Sequence, residues 1–145
     1  MTSKHNQKIT YDDGSEYVGE VKDGVPHGQG TKTRISHESS KYVGKWKDGV
    51  RHGHGSMTYW DRSKYEGEFK DGEPHGHGSM TYPDGSKYEG DWKDGVPRGY
   101  GIMIYEDGTK YEGTLKDGQP HGHGRVTYSD GEKYEGEWPR DKHML

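Results

Sequence analysis

The chain has 145 residues, with 25 Gly, 12 Tyr, 4 Trp, 1 Phe, no Cys and a formal net charge of −4. Leu, Ile, Val and Phe together number only 14, too few for a two-layer globule with an aliphatic core. No apolar run approaches the length of a transmembrane helix or signal-peptide core, the lack of Cys excludes disulfides and thiolate-ligated centres, and the charge balance offers no basic excess for nucleic acid. So small an aliphatic share often accompanies disorder, but disorder also goes with high net charge and few aromatic residues. Neither holds here, so folding must rest on glycine and aromatic rings.

In chain order, residues 1–8 carry no pattern and are expected to be a flexible N-terminus. Ile9-Thr10-Tyr11-Asp12-Asp13-Gly14 reads as the end of a repeating unit, a half repeat spanning 9–16. A Tyr-x-Gly unit then begins at Tyr17, Tyr42, Tyr65, Tyr88, Tyr111 and Tyr134, spaced by 25 residues once and by 23 thereafter. The repeats are 17–41, 42–64, 65–87, 88–110 and 111–133, with a closing half repeat at 134–138 and a tail at 139–145 expected to be flexible. Each holds two strand-like segments: Tyr-x-Gly-x-Trp/Phe/Leu/Val-Lys, then Gly-x-Gly-Ser-Met-Thr-Tyr or similar. Asp-Gly follows each segment in most copies, a strong hairpin signal. The expected fold is all-β: a continuous antiparallel meander of about twelve strands, roughly 55 Å along its stacking axis.

Alternation assigns the faces. Tyr65, Gly67 and Phe69 share one side of their strand, opposite Lys64, Glu66, Glu68 and Lys70. On the next strand Gly76, Gly78, Met80 and Tyr82 fall together, opposite His75, His77, Ser79 and Thr81. Rings can lie flat on a backbone without Cβ atoms, which gives the glycines a packing role. No unit could bury this face alone, so stability should come from stacked neighbours.

The run Tyr-x-Gly-x-Trp-x-x-Gly-x-x-His-Gly-x-Gly at a 23-residue period resembles the membrane occupation and recognition nexus (MORN) repeat, over residues 9–138. The resemblance implies a single-layer, elongated, twisted antiparallel sheet of stacked β-hairpins with an aromatic-lined groove. Related arrays serve as binding or scaffolding modules in junctophilins, radial-spoke head proteins and protist cytoskeletal scaffolds, and beside catalytic domains in plant phosphoinositide kinases and a histone methyltransferase. This chain departs from the pattern at Val21 and Leu115 in the Trp position, at Arg98 in the His position, at Arg62 in a turn-Gly position, and through Arg34 to Ser40.

Three constellations are candidates for function. The aromatic face carries a column of repeat-opening tyrosines, a column of Trp-position residues and a third column of later tyrosines. The expected partner groove comprises Tyr42, Trp46, Tyr59, Tyr65, Phe69, Tyr82, Tyr88, Trp92, Tyr105, Tyr111 and Tyr128, because one layer cannot cover so much apolar surface and such patches mark interaction sites. A fitting partner is a protein segment, either an amphipathic helix or a second copy of the array. Second, His52/His54, His75/His77 and His121/His123 repeat as His-Gly-His, a spacing that could hold a divalent metal. The preferred reading is structural, with the first His of each copy fixing a loop, and no metal or cofactor is expected. Third, Lys and Glu rows flank each tyrosine and should neutralise one another, so anionic phospholipid, the alternative partner, rests on the resemblance. The serines sit in turns or in repeated settings, and a catalytic pocket is normally a unique concavity. The chain is therefore expected to be a non-enzymatic scaffold or adaptor, cytoplasmic, with the cytoskeleton or a membrane as its attachment.

Overall fold

The computed structural model describes residues 7–35 and 39–138. The expected tails lie outside these residues, except that Gln7 and Lys8 already belong to the first strand. Twelve strands form one antiparallel sheet in sequential order: β1 (Gln7–Thr10), β2 (Glu16–Lys22), β3 (Val25–Arg34), β4 (Ser40–Lys47), β5 (Val50–Thr58) and β6 (Lys64–Lys70), then β7 (Glu73–Thr81), β8 (Lys87–Lys93), β9 (Val96–Ile104), β10 (Lys110–Lys116), β11 (Gln119–Thr127) and β12 (Lys133–Trp138). No helix among the described residues is long and apolar enough to cross a membrane.

Two turn types build the meander. Between β2 and β3, and at four later equivalents, a two-residue Asp-Gly loop closes the hairpin. Asp48 and Gly49 adopt φ of 50° and 85°, the paired positive values of the turn that matches strand twist. The other turn spans five residues. Tyr82 N–H donates to the Ser86 carbonyl at 2.9 Å and Gly85 N–H donates back to the Tyr82 carbonyl at 3.0 Å. Asp84 Oδ1 accepts from the Ser86 N–H and hydroxyl. In the second copy Arg62 takes the glycine's place, with φ of 80°. Of the departing stretch from Arg34 to Ser40, residues 36–38 lie outside the described residues, and Arg34 pairs with Ser40.

One expectation needs correction. Alternation was counted without interruption along each second strand, which puts Gly76 beside Gly78 on the aromatic face. Instead Gly67 pairs with Gly78 and Phe69 pairs with Pro74, so His75, Gly76 and His77 all lie opposite Glu68. This bulge recurs in every hairpin closed by a two-residue Asp-Gly loop. It turns Gly76 so that a Cβ there would meet the Glu68 side chain on the polar side. It also buries Pro26, Pro74 and Pro97, and their carbonyls each accept the Gly N–H of the next Asp-Gly turn.

The core is a ladder of rings. Tyr17, Tyr42, Tyr65, Tyr88 and Tyr111 are fully buried or nearly so. Each lies where a Cβ on Gly30, Gly55, Gly78, Gly101 or Gly124, respectively, would collide with its ring. Each hydroxyl donates to the carbonyl at the bulge three residues on, as Tyr65 does to Glu68 at 2.8 Å and Tyr88 to Asp91 at 2.9 Å. Between successive tyrosines stands the Trp-position ring of the later repeat: Trp46 between Tyr17 and Tyr42, Phe69 between Tyr42 and Tyr65, Trp92 between Tyr65 and Tyr88. Centroids are 5.0 to 5.3 Å apart in these edge-to-face pairs, a geometry favoured by the ring quadrupole. Trp92 Nε1–H reaches the Gly78 carbonyl at 2.9 Å, so its polar atom is satisfied.

Candidate functional site

The ladder divides the expected groove in two. Tyr42, Trp46, Tyr65, Phe69, Tyr88, Trp92 and Tyr111 are buried within the chain. They are core and form no open groove of their own. The single layer expected from the sequence is observed, and within it Trp46, Phe69 and Trp92 each stand between the opening tyrosines of successive repeats. The surface that remains is the third column. Tyr59, Tyr82 and Tyr128 pack half-buried against the core, and Tyr105 is 37% exposed. Met57, Met80, Met103 and Val126 lie beside them, each opposite the opening tyrosine of the next repeat; Met57, Met103 and Val126 are buried and only Met80 is partly open. Burial raises the hydroxyl pKa values of Tyr59, Tyr82 and Tyr105 above the ordinary tyrosine value, so these rings present neutral phenols. Such a row offers flat apolar area with a hydrogen-bonding tip.

Burial acts more strongly on the ladder itself. The hydroxyls of Tyr17 and Tyr42 are pushed up to about 12 by desolvation, with the Glu20 carboxylate adding to the effect at Tyr17 and the Arg51 guanidinium opposing it at Tyr42. Burial likewise raises Tyr65 and Tyr88.

The histidines separate into two sets. The first of each pair sits near the Asp-Gly turns. His27 Nδ1 accepts the Asp48 N–H at 3.2 Å, the loop-fixing role expected of that position. His27 and His52 line one depression with Lys45 and Lys47, whereas His54 and His77 line another with Glu66, Glu68 and Glu89. The second-position histidines face carboxylates. His54 lies 3.4 Å from Glu68, His77 lies 3.6 Å from Glu89, and His123 lies 3.0 Å from Glu135. Hydrogen bonding to Glu135, and then to Glu137, raises the His123 pKa. Among the described residues no three His, Asp or Glu side chains are grouped to hold a metal ion. The turn serines spend their hydroxyls on turn aspartates, Ser15 on Asp13 and Ser63 on Asp61.

Three residues outside the expected groove share its face. Lys32, Arg34 and Arg51 line a cavity of about 380 Å³ together with Tyr42, Trp46 and Met57. Position-by-position comparison of the repeats would have exposed them, since each stands where the other full copies carry Met or Val, Tyr, and Pro respectively.

The family pattern described as MORN repeat matches residues 17–37, 42–61, 65–87, 88–110 and 111–133. No curated protein sequence matches the chain. The matched segments coincide with the hairpins that carry the tyrosine–glycine seats, the ring ladder and the Asp-Gly turns. With five consecutive copies over most of its length, the chain belongs to the MORN repeat family, whose arrays are often involved in membrane or protein interaction.

Proposed function

We propose that the array is a non-enzymatic adaptor that docks a segment of a partner protein along the third tyrosine column. One observation carries this reading: the buried ladder accounts for its own rings, yet Tyr59, Tyr82, Tyr105 and Tyr128 stay partly open on the same face in successive repeats. Tyr is enriched where proteins meet, and Met80 is the one member of the neighbouring Met row that stays partly open beside it. Repetition every two strands, about 9.5 Å, suits an extended or helical segment lying across several hairpins. A phospholipid partner has less support on the opposite face. There the Lys64, Lys87 and Lys110 row alternates with Glu66, Glu89 and Glu112, which offsets the positive potential an anionic membrane requires.

The test is a Tyr82→Ser/Tyr105→Ser double variant, assayed with the parent chain for binders from a displayed random-peptide library. The variant should keep its thermal transition within a few degrees and lose the enriched peptides. Enriched peptides that bind parent and variant alike would reject the third column as the docking site.

A further inference from the structure

The aromatic face is not uniform along its length. The Met-position row runs Ile9, Lys32, Met57, Met80, Met103, Val126, and each member pairs with a repeat-opening tyrosine. The adjoining tyrosine column runs Tyr11, Arg34, Tyr59, Tyr82, Tyr105, Tyr128. In both rows the only charged member belongs to β3. The proline position opposite the Trp-position ring is likewise occupied by Arg51 in β5, where Pro26, Pro74, Pro97 and Pro120 stand elsewhere. Three independent departures from the repeat thus place three cations around one cavity.

Their charge is only partly offset by the described residues around them: the Asp13 carboxylate interacts electrostatically with Arg34 and Lys32. Among the described residues none of the three forms an ion pair within 4.0 Å. The Lys32 ammonium lies 4.3 Å from the Tyr11 ring centroid, and the Arg51 guanidinium lies 5.9 Å from the Tyr42 and Phe69 centroids. Arg51 Nη1 lies 3.4 Å from Met57 Sδ, a weak acceptor. Among the described residues the one carboxylate lining the cavity is Asp13, which accepts the Ser15 hydroxyl and N–H. Among the described residues, three cations against one carboxylate leave a net positive pocket beside the Tyr42 and Trp46 rings, in a chain whose overall charge is negative.

Resting on the docking reading above, we infer that the occupant is an amphipathic peptide segment with acidic residues at one end, its carboxylates held by Lys32, Arg34 and Arg51. Its apolar side chains then follow the partly open tyrosine column from Tyr59 toward Tyr128. Charge-assisted hydrogen bonds from Arg to carboxylate are geometrically specific, so the cluster sets the direction and register of the segment on an otherwise repetitive face. Without such a mark, a segment could slide by one repeat and meet nearly the same surface.

The decisive variant is Lys32→Met/Arg34→Tyr/Arg51→Pro, which installs at each position the residue that sibling repeats already accommodate. Arg51 supplies a backbone carbonyl to the Gly72 N–H, as Pro74 does to Gly95, so proline preserves that bond. A displayed random-peptide library is selected on the full parent chain, and the enriched peptides are then measured individually against both proteins across a salt series. The expected result is Asp/Glu enrichment at one end of the selected peptides, and affinity that falls with salt. The triple variant should bind them on the order of tenfold more weakly, the scale of one lost charged hydrogen bond or more. Selected peptides without acidic enrichment, bound equally by the triple variant but lost in Tyr82→Ser/Tyr105→Ser, would overturn the cation assignment and leave the docking column standing. No enriched peptide at all would overturn both readings. Phosphatidylserine vesicles form a second arm: vesicle binding lost in the triple variant, with peptide binding unchanged, would assign the cations to a lipid surface and overturn the inference.

Discussion

At the residue scale, the fold depends on a tyrosine lying where a side chain has been deleted. Gly78 is the seat of Tyr65, and an added Cβ would overlap the ring. The Tyr65 ring is buried and its hydroxyl is committed to the Glu68 carbonyl, so it cannot yield without losing both. Gly78→Ala should therefore destabilise the array by about 1–3 kcal/mol, the usual range for overpacking. Gly85→Ala, at a turn with φ of 92° and open space around it, should cost only about 1–2 kcal/mol of backbone strain. Denaturant titration ranks the two, and equal stability of Gly78→Ala and parent would reject the seat. The same burial has a pH consequence. Tyr17 and Tyr42 have folded-state pKa values near 12 against an ordinary 10.0. A raised pKa means that the folded state holds its protons more tightly. Their stabilisation is complete below pH 10 and is lost as pH rises from 10 through about 12. Thermal unfolding followed by circular dichroism should show the melting temperature falling across that window, together with the ultraviolet change of tyrosinate formation. A melting temperature that stays flat to pH 12 would contradict the buried-phenol core. The seat itself was legible, because Gly-x-Gly in strands otherwise carries an entropic penalty. The closure of the ladder was not, because no single residue reports that the ring of one hairpin roofs its neighbour.

At the scale of the element, the hairpin is almost wholly written in the chain. Asp-Gly at the two-residue loop demands positive φ at both positions, and Asp23, Asp48, Asp71, Asp94 and Asp117 all adopt it. The strand ends therefore fall where the turn chemistry puts them. The bulge was hidden because alternation assigns one residue to each rung, and three residues opposite Glu68 break that count. Pro74 was its trace: a proline cannot donate to a regular ladder, and its recurrence at Pro26, Pro97 and Pro120, two residues after the Asp-Gly of four of the five two-residue loops, marks the interruption. The five-residue turn offers a clean test through Arg62. Its φ of 80° costs a non-glycine residue about 1–2 kcal/mol. Glycine there relieves that strain but returns roughly 0.5–1 kcal/mol through greater chain entropy on unfolding. Arg62→Gly should thus stabilise the protein by about 0.5–1 kcal/mol, seen as a higher denaturant midpoint with unchanged slope. A lower midpoint would mean that the Arg62 side chain makes a contribution larger than the strain it imposes.

At the scale of the whole molecule, every strand pairs only with its neighbours in sequence, from β1 to β12. The rings follow the same rule, since each edge-to-face contact joins residues of the same or the adjacent repeat. Stability should then be a sum over repeats and the interfaces between them rather than a property of one indivisible core. A chain ending at residue 110 keeps β1–β9 and every ladder contact from Tyr17 through Trp92 and Tyr88. It loses Leu115, the Trp-position residue of the next repeat, and so leaves Tyr88 uncovered on that side. The shortened chain should still give a cooperative β-sheet transition, at a lower melting temperature and with a smaller denaturant slope in proportion to the surface removed. The cation cluster lies in β3 and β5, far from the cut. Acidic peptides selected on the full chain should therefore keep their charge-dependent contact while losing any apolar contact beyond β9. Loss of all β structure on truncation would show that the array closes cooperatively from end to end, against the neighbour-only pairing of its strands.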